Sequence, residues 1–417
     1  MLRNSRLMLL AVVVLVAGCA GPRPGAPGGT TKGGEPTVRV LVLSTHGQAT
    51  IATTGAFRIQ SLGGTLLTSA QGGTVTVQRD GRSLQARLDA NGQSAASEDD
   101  LVVVPSATGI SVGGTWYGGV VRVHAGDGGD IELINELGLE SYLEGVVPHE
   151  IGEPGADAYA AVQAQAVAAR TYALSRMRKN SARAYDVEAG VADQVYKGRE
   201  KQSRLAAAAV RDTRGTVLVY KDELCDTYYS ATCGGHTSDI RVVWPDRRNA
   251  PYLHGALDRG ADGPSFCSSA KNFRWRYTFS GRELGTMFRQ TLPPLLGVPA
   301  ARVGELVDLR IDGRTESGRV RSLDIVTTTG TYRVDSDKIR RAIMLDVQRG
   351  RILPSTLFDI EKVVSDERVG RVSIVGGGNG HGVGMCQNGA LGMARLGYSY
   401  SMILNHYYPG TSVQAAY

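Results

Sequence analysis

Glu150 is the residue whose surroundings in the sequence best suit it to chemistry. It closes the run Val146-Val147-Pro148-His149-Glu150 and is followed by Ile151. A carboxyl group among apolar side chains is biased toward its protonated form, which is what a general acid requires. Taken alone, the same residue also reads as a solvated carboxylate at the start of a helix. A second candidate segment lies near the C-terminus, Gly380-His381-Gly382-Val383-Gly384-Met385-Cys386-Gln387-Asn388-Gly389-Ala390. The glycines from Gly376 onward follow a predicted strand and precede a predicted helix, as in a phosphate-binding loop. The rest of that signature is absent. No Gly-Lys-Ser/Thr ending is present, and no Asp or Glu follows Glu367 to hold a ribose. A loop that brings His381 and backbone N–H groups close to a substrate is the better reading.

These segments need elements to position them. Pro154 and Asp157 open a helix predicted to run to about Met177, with Tyr159, Val162, Ala166, Ala169 and Ala173 on one face. Gln163 and Arg170 share a second face, as do Gln165 and Tyr172. The small residues through its middle imply that another element packs very close. A strand within 131–147 precedes Glu150. A second helix is predicted over 205–213, and a strand pair over 217–220 and 226–230. Upstream, short apolar runs at 38–43, 74–77, 101–104 and 120–123 alternate with the turns Gly63-Gly64, Asp80-Gly81 and Asn91-Gly92. They read as a strand-rich packing or binding module. Downstream, a helix near 284–290, strands near 306–311, 320–327 and 332–334, and a helix near 338–344 read as a separate insert. A strand at 372–375 enters the glycine loop, and helices over 388–396 and 401–406 close the chain. The fold class is therefore α+β: a mixed core with a strand-rich N-terminal part, interrupted by an αβ insert. The predicted divisions are 38–130, a core in two parts at 131–272 and 371–417, and the insert at 273–370.

The N-terminus carries Arg3 and Arg6 before an apolar stretch over 7–17. That is well short of the roughly 20 residues a membrane-spanning helix requires, and it reads as a signal-peptide core over 1–18. Leu15-Val16-Ala17-Gly18-Cys19 resembles a lipobox, in which Cys19 would become the lipidated first residue. Ala20 stands where an inner-membrane retention signal would place Asp. The expectation is an envelope lipoprotein, in the outer membrane facing the periplasm of a two-membrane cell. Residues 19–37, rich in Gly and Pro, form a predicted flexible tether. Loss of Arg3 and Arg6 with the signal segment would take the formal net charge from +6 to +4, a mild excess that suits a weakly anionic polymer, and no aromatic-studded basic cluster points to nucleic acid.

Several ordered motifs resemble the SpoIID/LytB family, the stage II sporulation protein D and amidase-enhancer group. They are Tyr142-Leu143-Glu144-Gly145-Val146-Val147-Pro148-His149-Glu150, the run from Gln163 to Tyr172, and Gln194-Val195-Tyr196-Lys197-Gly198. Cys233-Gly234-Gly235-His236-Thr237, Pro251-Tyr252-Leu253, the segment from Gly380 to Ala390, and Ile403-Leu404-Asn405-His406-Tyr407-Tyr408-Pro409-Gly410-Thr411 complete the set. The resemblance implies a peptidoglycan lytic transglycosylase acting on glycan strands stripped of stem peptides, with Glu150 as the catalytic acid and then base. The same group is also described as amidase enhancers, so a non-catalytic glycan-binding protein that stimulates a peptidoglycan amidase is the alternative. On this resemblance Gln165, Arg170 and Tyr172 line the cleft from one helix, His381 and Gln387 line the opposite wall, and Gln194 and Tyr196 shape the sugar site. Arg170 is open to two roles, binding the lactyl carboxylate of muramic acid or forming a structural ion pair. His381 is equally open to hydrogen-bonding an acetamido group or to being a satisfied core histidine.

No cofactor is required for that chemistry, but the cysteines raise a structural one. Some relatives carry a zinc near the Gly-Gly turn, which implies Cys233, His236 and Cys267 as ligands with Cys225 as the fourth. The spacing matches no standard zinc finger, and the relatives' usual histidine aligns with Ser230. A Cys233–Cys267 disulfide in an oxidising envelope is the alternative, and Cys386 reads as a packed small residue.

Overall fold

The computed structural model describes residues 34–106, 109–365 and 367–417. The signal segment, Cys19 and nearly all of the tether lie outside these residues. Among the described residues, no helix is long and apolar enough to cross a membrane.

The alternating residues of the N-terminal part fold as hairpins into an 11-stranded sheet. Along its main path the order is Val187–Glu188, Thr37–Thr45, Ile131–Gly138, Val120–Ala125, Leu101–Pro105, Gln48–Ser61, Gly64–Asp80, Ser83–Leu88 and Ser94–Ser97. Two short strands, Ile110–Val112 and Thr115–Tyr117, attach beside Gln48–Ser61. The turn signals read from the sequence sit at the observed hairpins, Ser61 opposite Gly64 and Asp80 opposite Ser83. Ile131–Gly138 belongs to this sheet, so the N-terminal part and the core share one apolar interior rather than meeting at residue 130.

Strand Ile131–Gly138 feeds directly into helix α1, Leu139–Glu150. Helix α2, Tyr159–Lys179, follows after a short 3₁₀ turn. Its alanines are buried on nearly every side, because α1, helix α3 (Arg204–Asp212), the strand Thr216–Tyr220 and two C-terminal helices all pack on it. A helix enclosed this way has little use for an amphipathic face. The short helix α4 spans Ile240–Val243.

The insert has a separate apolar core. Helix α5, Gly281–Leu296, starts at a capping box made by Ser280 and Glu283 and ends at Gly297 in the left-handed region. It packs against the sheet of Trp275–Ser280, Arg368–Gly376 and Phe358–Ser365 and contacts Leu306–Arg314 of the sheet Leu306–Arg314, Val320–Thr327 and Gly330–Asp335. Strand Arg368–Gly376 is central in the first of these, so the insert's sheet continues to Gly376. Helix α6 is only Ile339–Ala342.

The polypeptide then returns to the core through the glycine loop, helix α7 (Gln387–Arg395) and helix α8 (Tyr400–Tyr407). The strand pair expected near 217–230 does not form. Thr216–Tyr220 pairs instead with Glu223–Leu224 and the C-terminal strand Ser412–Ala415, and Tyr229–Ser230 pairs in parallel with Met385–Cys386.

The beginning of α1 is held by a buried ion pair. Arg170 is fully buried and donates from Nε and Nη2 to the two carboxylate oxygens of Glu140, at 2.9 and 2.6 Å. Its remaining N–H groups reach the Val210 carbonyl, the Thr216 carbonyl and the Thr213 hydroxyl. Glu140 also accepts from the Gly215 N–H and the Tyr417 hydroxyl. Of the two roles left open for Arg170, the geometry supports the ion pair: no part of the guanidinium is left to meet a sugar. Replacing one member of such a pair strands the other charge in a dry interior. Arg170→Met is expected to lower unfolding free energy by about 3–5 kcal/mol, read as a shifted denaturant midpoint. A change below about 1 kcal/mol would refute the assignment.

Candidate active site

Glu150 is the last residue of α1, not the first residue of a helix. Gly152, at φ +76°, turns the backbone away immediately afterwards. The carboxyl group therefore sits at the negative end of the helix dipole, which disfavours its ionised form. Burial acts in the same direction and raises its pKa above the ordinary value of 4.5. Two donors oppose the shift without cancelling it: the Val195 N–H reaches Oε1 at 2.7 Å, and Gln387 Nε2 lies 3.5 Å from Oε2.

The carboxyl group faces a cleft of about 450 Å³. Tyr172, Tyr228, Tyr229 and Trp244 supply aromatic walls, His381 and Gly380 come from the glycine loop, and Asp337, Arg340, Arg341 and Ile352 come from the insert. Trp244 and His381 meet with ring centroids 4.8 Å apart and planes inclined at 46°, and the Arg247 guanidinium lies 4.6 Å from the Trp244 ring centroid. Two other carboxylates in the cleft are already engaged. Asp193 accepts from the Tyr172 hydroxyl and the Glu188 N–H and forms an ion pair with Arg176, and Asp337 pairs with Arg340. Glu150 has no cationic partner among the described residues, and so differs from both.

The expected site residues divide into those that reach the cleft and those that support it. Tyr172 reaches it, with its hydroxyl donating to Asp193 Oδ1 at 2.6 Å. His381 also reaches it, but both ring nitrogens are engaged: Nδ1 accepts from the Val383 N–H at 3.0 Å, and the ring bonds the Tyr229 backbone. Burial pushes its pKa down to about 4, so it is a neutral aromatic surface at pH 7. Gln387 touches Glu150 directly and also donates to Gln165 Oε1 at 3.3 Å. Gln165 is buried behind it, and its own Nε2 has no partner among the described residues.

Two expectations are corrected. Gln194 is fully buried, accepting from Tyr142 and donating to Tyr229 and the Ala169 carbonyl. It fixes the loop whose next residue, Val195, serves Glu150. Tyr196 lies on the far side of α1, ringed by Tyr117 and Tyr142 and donating to Asn135. Its ring packs so tightly that a Cβ on Gly145 would come within 2.7 Å of it. The glycine loop is also tight for an internal reason. A Cβ on Gly382 would strike the Arg319 guanidinium of the insert at 2.3 Å. Arg319 is buried there and donates to the Ser355 hydroxyl and the Cys233 carbonyl.

The cysteines converge differently from the expected quartet. Cys233 and Cys267 lie side by side, joined by Cys386 and Asp258, and all four are buried. Cys225 is buried elsewhere, hydrogen-bonded to Tyr252. The His236 Nδ1 faces the Thr237 carbonyl at 2.6 Å.

Comparisons with known proteins fit this arrangement. The stage II sporulation protein family, SpoIID, matches residues 127–220, which carry α1, α2 and the Val195 loop. A protein of Brachyspira hyodysenteriae named only as uncharacterized is 32% identical over 75% of this chain and 76% of its own length. The chain belongs to the SpoIID family. The amidase enhancer of Bacillus subtilis is 29% identical over 65% of the chain, which spans 40% of that protein. Stage II sporulation protein D of Bacillus amyloliquefaciens is 29% identical over 68% of the chain and 76% of its own length. A family described as a domain of unknown function matches residues 257–384, covering the insert and entering the glycine loop.

Several cleft residues have no signal in the motifs. Arg247 lies in the irregular stretch before the insert, Asp337 and Arg341 arrive only when the insert docks, and Val195, though within a motif, acts through its backbone. Trp244 stands out in the sequence merely as an aromatic in an irregular stretch.

Because the folded protein holds the Glu150 proton more tightly than the unfolded chain does, this group's contribution to stability is greatest at low pH. It is lost as pH rises through the folded pKa. Removing the Gln387 donor favours the protonated form further. NMR titration of glutamate side-chain carbons should place Glu150 above 4.5 and move it higher in Gln387→Leu. A normal or lower value in the variant would contradict the geometry.

Proposed function

We propose that this SpoIID-family chain is a peptidoglycan lytic transglycosylase acting on peptide-stripped glycan strands. The observation that carries the reading is a single unpaired carboxyl group, Glu150, with a raised pKa in an aromatic-walled cleft. Glu150 donates its proton to the glycosidic oxygen between N-acetylmuramic acid and N-acetylglucosamine, and the C1–O bond breaks. The resulting carboxylate then takes the proton of the muramoyl C6 hydroxyl as that oxygen bonds to C1. The product is a 1,6-anhydro end, no water is consumed, and Glu150 regains its proton. One carboxyl group suffices, whereas ordinary glycoside hydrolysis uses two at a defined separation. Tyr228 and Trp244 offer flat faces to sugar rings.

The preference for stripped strands falls to the cationic rim. Removing the stem peptide leaves a free lactyl carboxylate on each muramic acid. Arg341 is exposed at the cleft and has no hydrogen-bond or ion-pair partner among the described residues. It and Arg247 take the role that burial denies to Arg170. The lipobox adds an envelope location, with Cys19 anchoring the chain in the outer membrane.

A second reading, a glycan-binding protein that stimulates a peptidoglycan amidase, rests on the amidase enhancer among the relatives. Glu150→Gln separates the two. Incubated with peptide-free glycan strands and read by mass spectrometry, the wild type should release 1,6-anhydro products, and the variant should lose about 10²–10⁴-fold of that rate while still binding strands. Products with ordinary reducing ends, or intact strands, would sink the enzymatic reading. Undiminished amidase stimulation by the variant would support the second. Arg341→Ala should raise KM about threefold for stripped strands at low salt, as expected for one exposed charge contact, with kcat preserved. An unchanged KM would remove Arg341 from substrate recognition.

A further inference from the structure

Four donors of metal-ligating type meet behind the Glu150 cleft. The sulfurs of Cys233, Cys267 and Cys386 and a carboxylate oxygen of Asp258 all lie within 4.8 Å of one another. Their segments are far apart in the chain. Cys233 precedes the Gly234-Gly235 turn, Asp258 and Cys267 flank one loop, and Cys386 caps α7.

The spacing decides between a bond and a shared ion. Cys233 Sγ and Cys267 Sγ are 3.7 Å apart, far beyond the roughly 2.05 Å of a disulfide. Two thiolates on one tetrahedral zinc, each about 2.3 Å from the metal, stand about 3.8 Å apart. Pairing Cys233 with Cys267 would also leave Cys386 sealed in the same pocket as an odd third sulfur.

Backbone N–H groups point at the sulfurs. Cys233 Sγ accepts from the Gly235 N–H at 3.4 Å, and Cys386 Sγ accepts from the Gly389 and Cys233 N–H groups at 3.3 and 3.2 Å. Cys267 takes a backbone hydrogen bond from Gly234. Cys386 also sits at the positive end of α7, which favours a negative sulfur. Asp258 is oriented from outside by the Tyr407 hydroxyl at 2.6 Å and the Cys267 N–H at 3.1 Å. Outer partners of this kind hold metal ligands in place. A Cβ on Gly389 would strike the Tyr407 hydroxyl at 2.1 Å and Asp258 Oδ1 at 2.3 Å, so the pocket is closed on that side.

We infer that this chain binds one structural zinc ion through Cys233, Cys267, Cys386 and Asp258. Three thiolates and one carboxylate complete a tetrahedral set with no open position, which is the form of a structural site. Soft sulfur donors in a four-coordinate pocket select zinc over harder cations. Two of the four ligands, Asp258 and Cys386, stand outside the quartet that the sequence suggested, and His236 and Cys225 stand outside this one. The ion would tie the Gly-Gly turn, the 258–267 loop and the start of α7 together. Gln387, which follows Cys386 directly, would thereby be held against Glu150. The inference does not depend on the reaction proposed above.

The test uses the full chain purified without added metal or reductant. Elemental analysis should find one zinc per chain. Alkylation followed by peptide mass mapping should show Cys233, Cys267 and Cys386 protected in the native protein and all three modified after chelator and denaturant. Cobalt exchanged into the site should give an intense thiolate-to-metal charge-transfer band. Cys386→Ser and Asp258→Asn should lose most of the zinc, whereas Cys225→Ala and His236→Ala should retain it. Metal-free protein with a Cys233–Cys267 disulfide would overturn the inference, as would full zinc content in Cys386→Ser. Should the ligand variants fail to fold, the wild-type zinc content and protection pattern decide alone.

Discussion

The clamp between Arg170 and Glu140 sets where α1 begins, and α1 is rigid. Its 12 residues carry that fixed start over about 18 Å to Glu150 at the other end. The same guanidinium grips the carbonyls of Val210 and Thr216, and the same carboxylate grips Gly215 and Tyr417. Helices α1 and α2, the end of α3 and the C-terminus are thus referenced to one buried charge pair. The Glu150 carboxyl group can be both desolvated and well placed because its helix is anchored at the opposite end.

The opposite wall of the cleft is supplied by the insert and the glycine loop together. Arg319 enters the loop where only a glycine leaves room, and its bond to the Cys233 carbonyl ties the insert to the Gly-Gly turn. That docking carries Asp337, Arg340 and Arg341 to the cleft rim. The glycines therefore serve protein packing at least as much as substrate access. At Gly384 a Cβ would meet the Tyr228 carbonyl at 2.0 Å, which is the same kind of constraint: two backbones pressed together beneath an aromatic wall.

The polar groups around Glu150 are graded by exposure. Gln194 and Gln165 are fully buried, Gln387 touches the carboxyl group, and Tyr172 reaches the cleft while bonded to Asp193. Moving outward, the groups change from neutral amides to charged side chains. Such an order keeps the local medium poor in compensating charge near the acid, and so keeps its pKa raised, while leaving cations at the rim.

The local sequence was sufficient for the helices, the N-terminal hairpins and the family. Alternating apolar residues, Gly-containing turns and an alanine-rich run each act over a few residues, and their physics is the same wherever the segment lies. Roles that depend on partners distant in the chain were decided only by the tertiary structure. Arg170 became a buried counter-ion because Glu140 lies across a helix interface, and Tyr196 turned away from the cleft because Gly145 let its ring pack behind α1. The strand at 229–230 took Met385–Cys386 as its partner instead of its neighbour, and Cys386 came to Cys233 and Cys267 across more than a hundred residues. Spacing along a chain reports local geometry, whereas desolvation and ligand geometry depend on which distant atoms fill the space around a group.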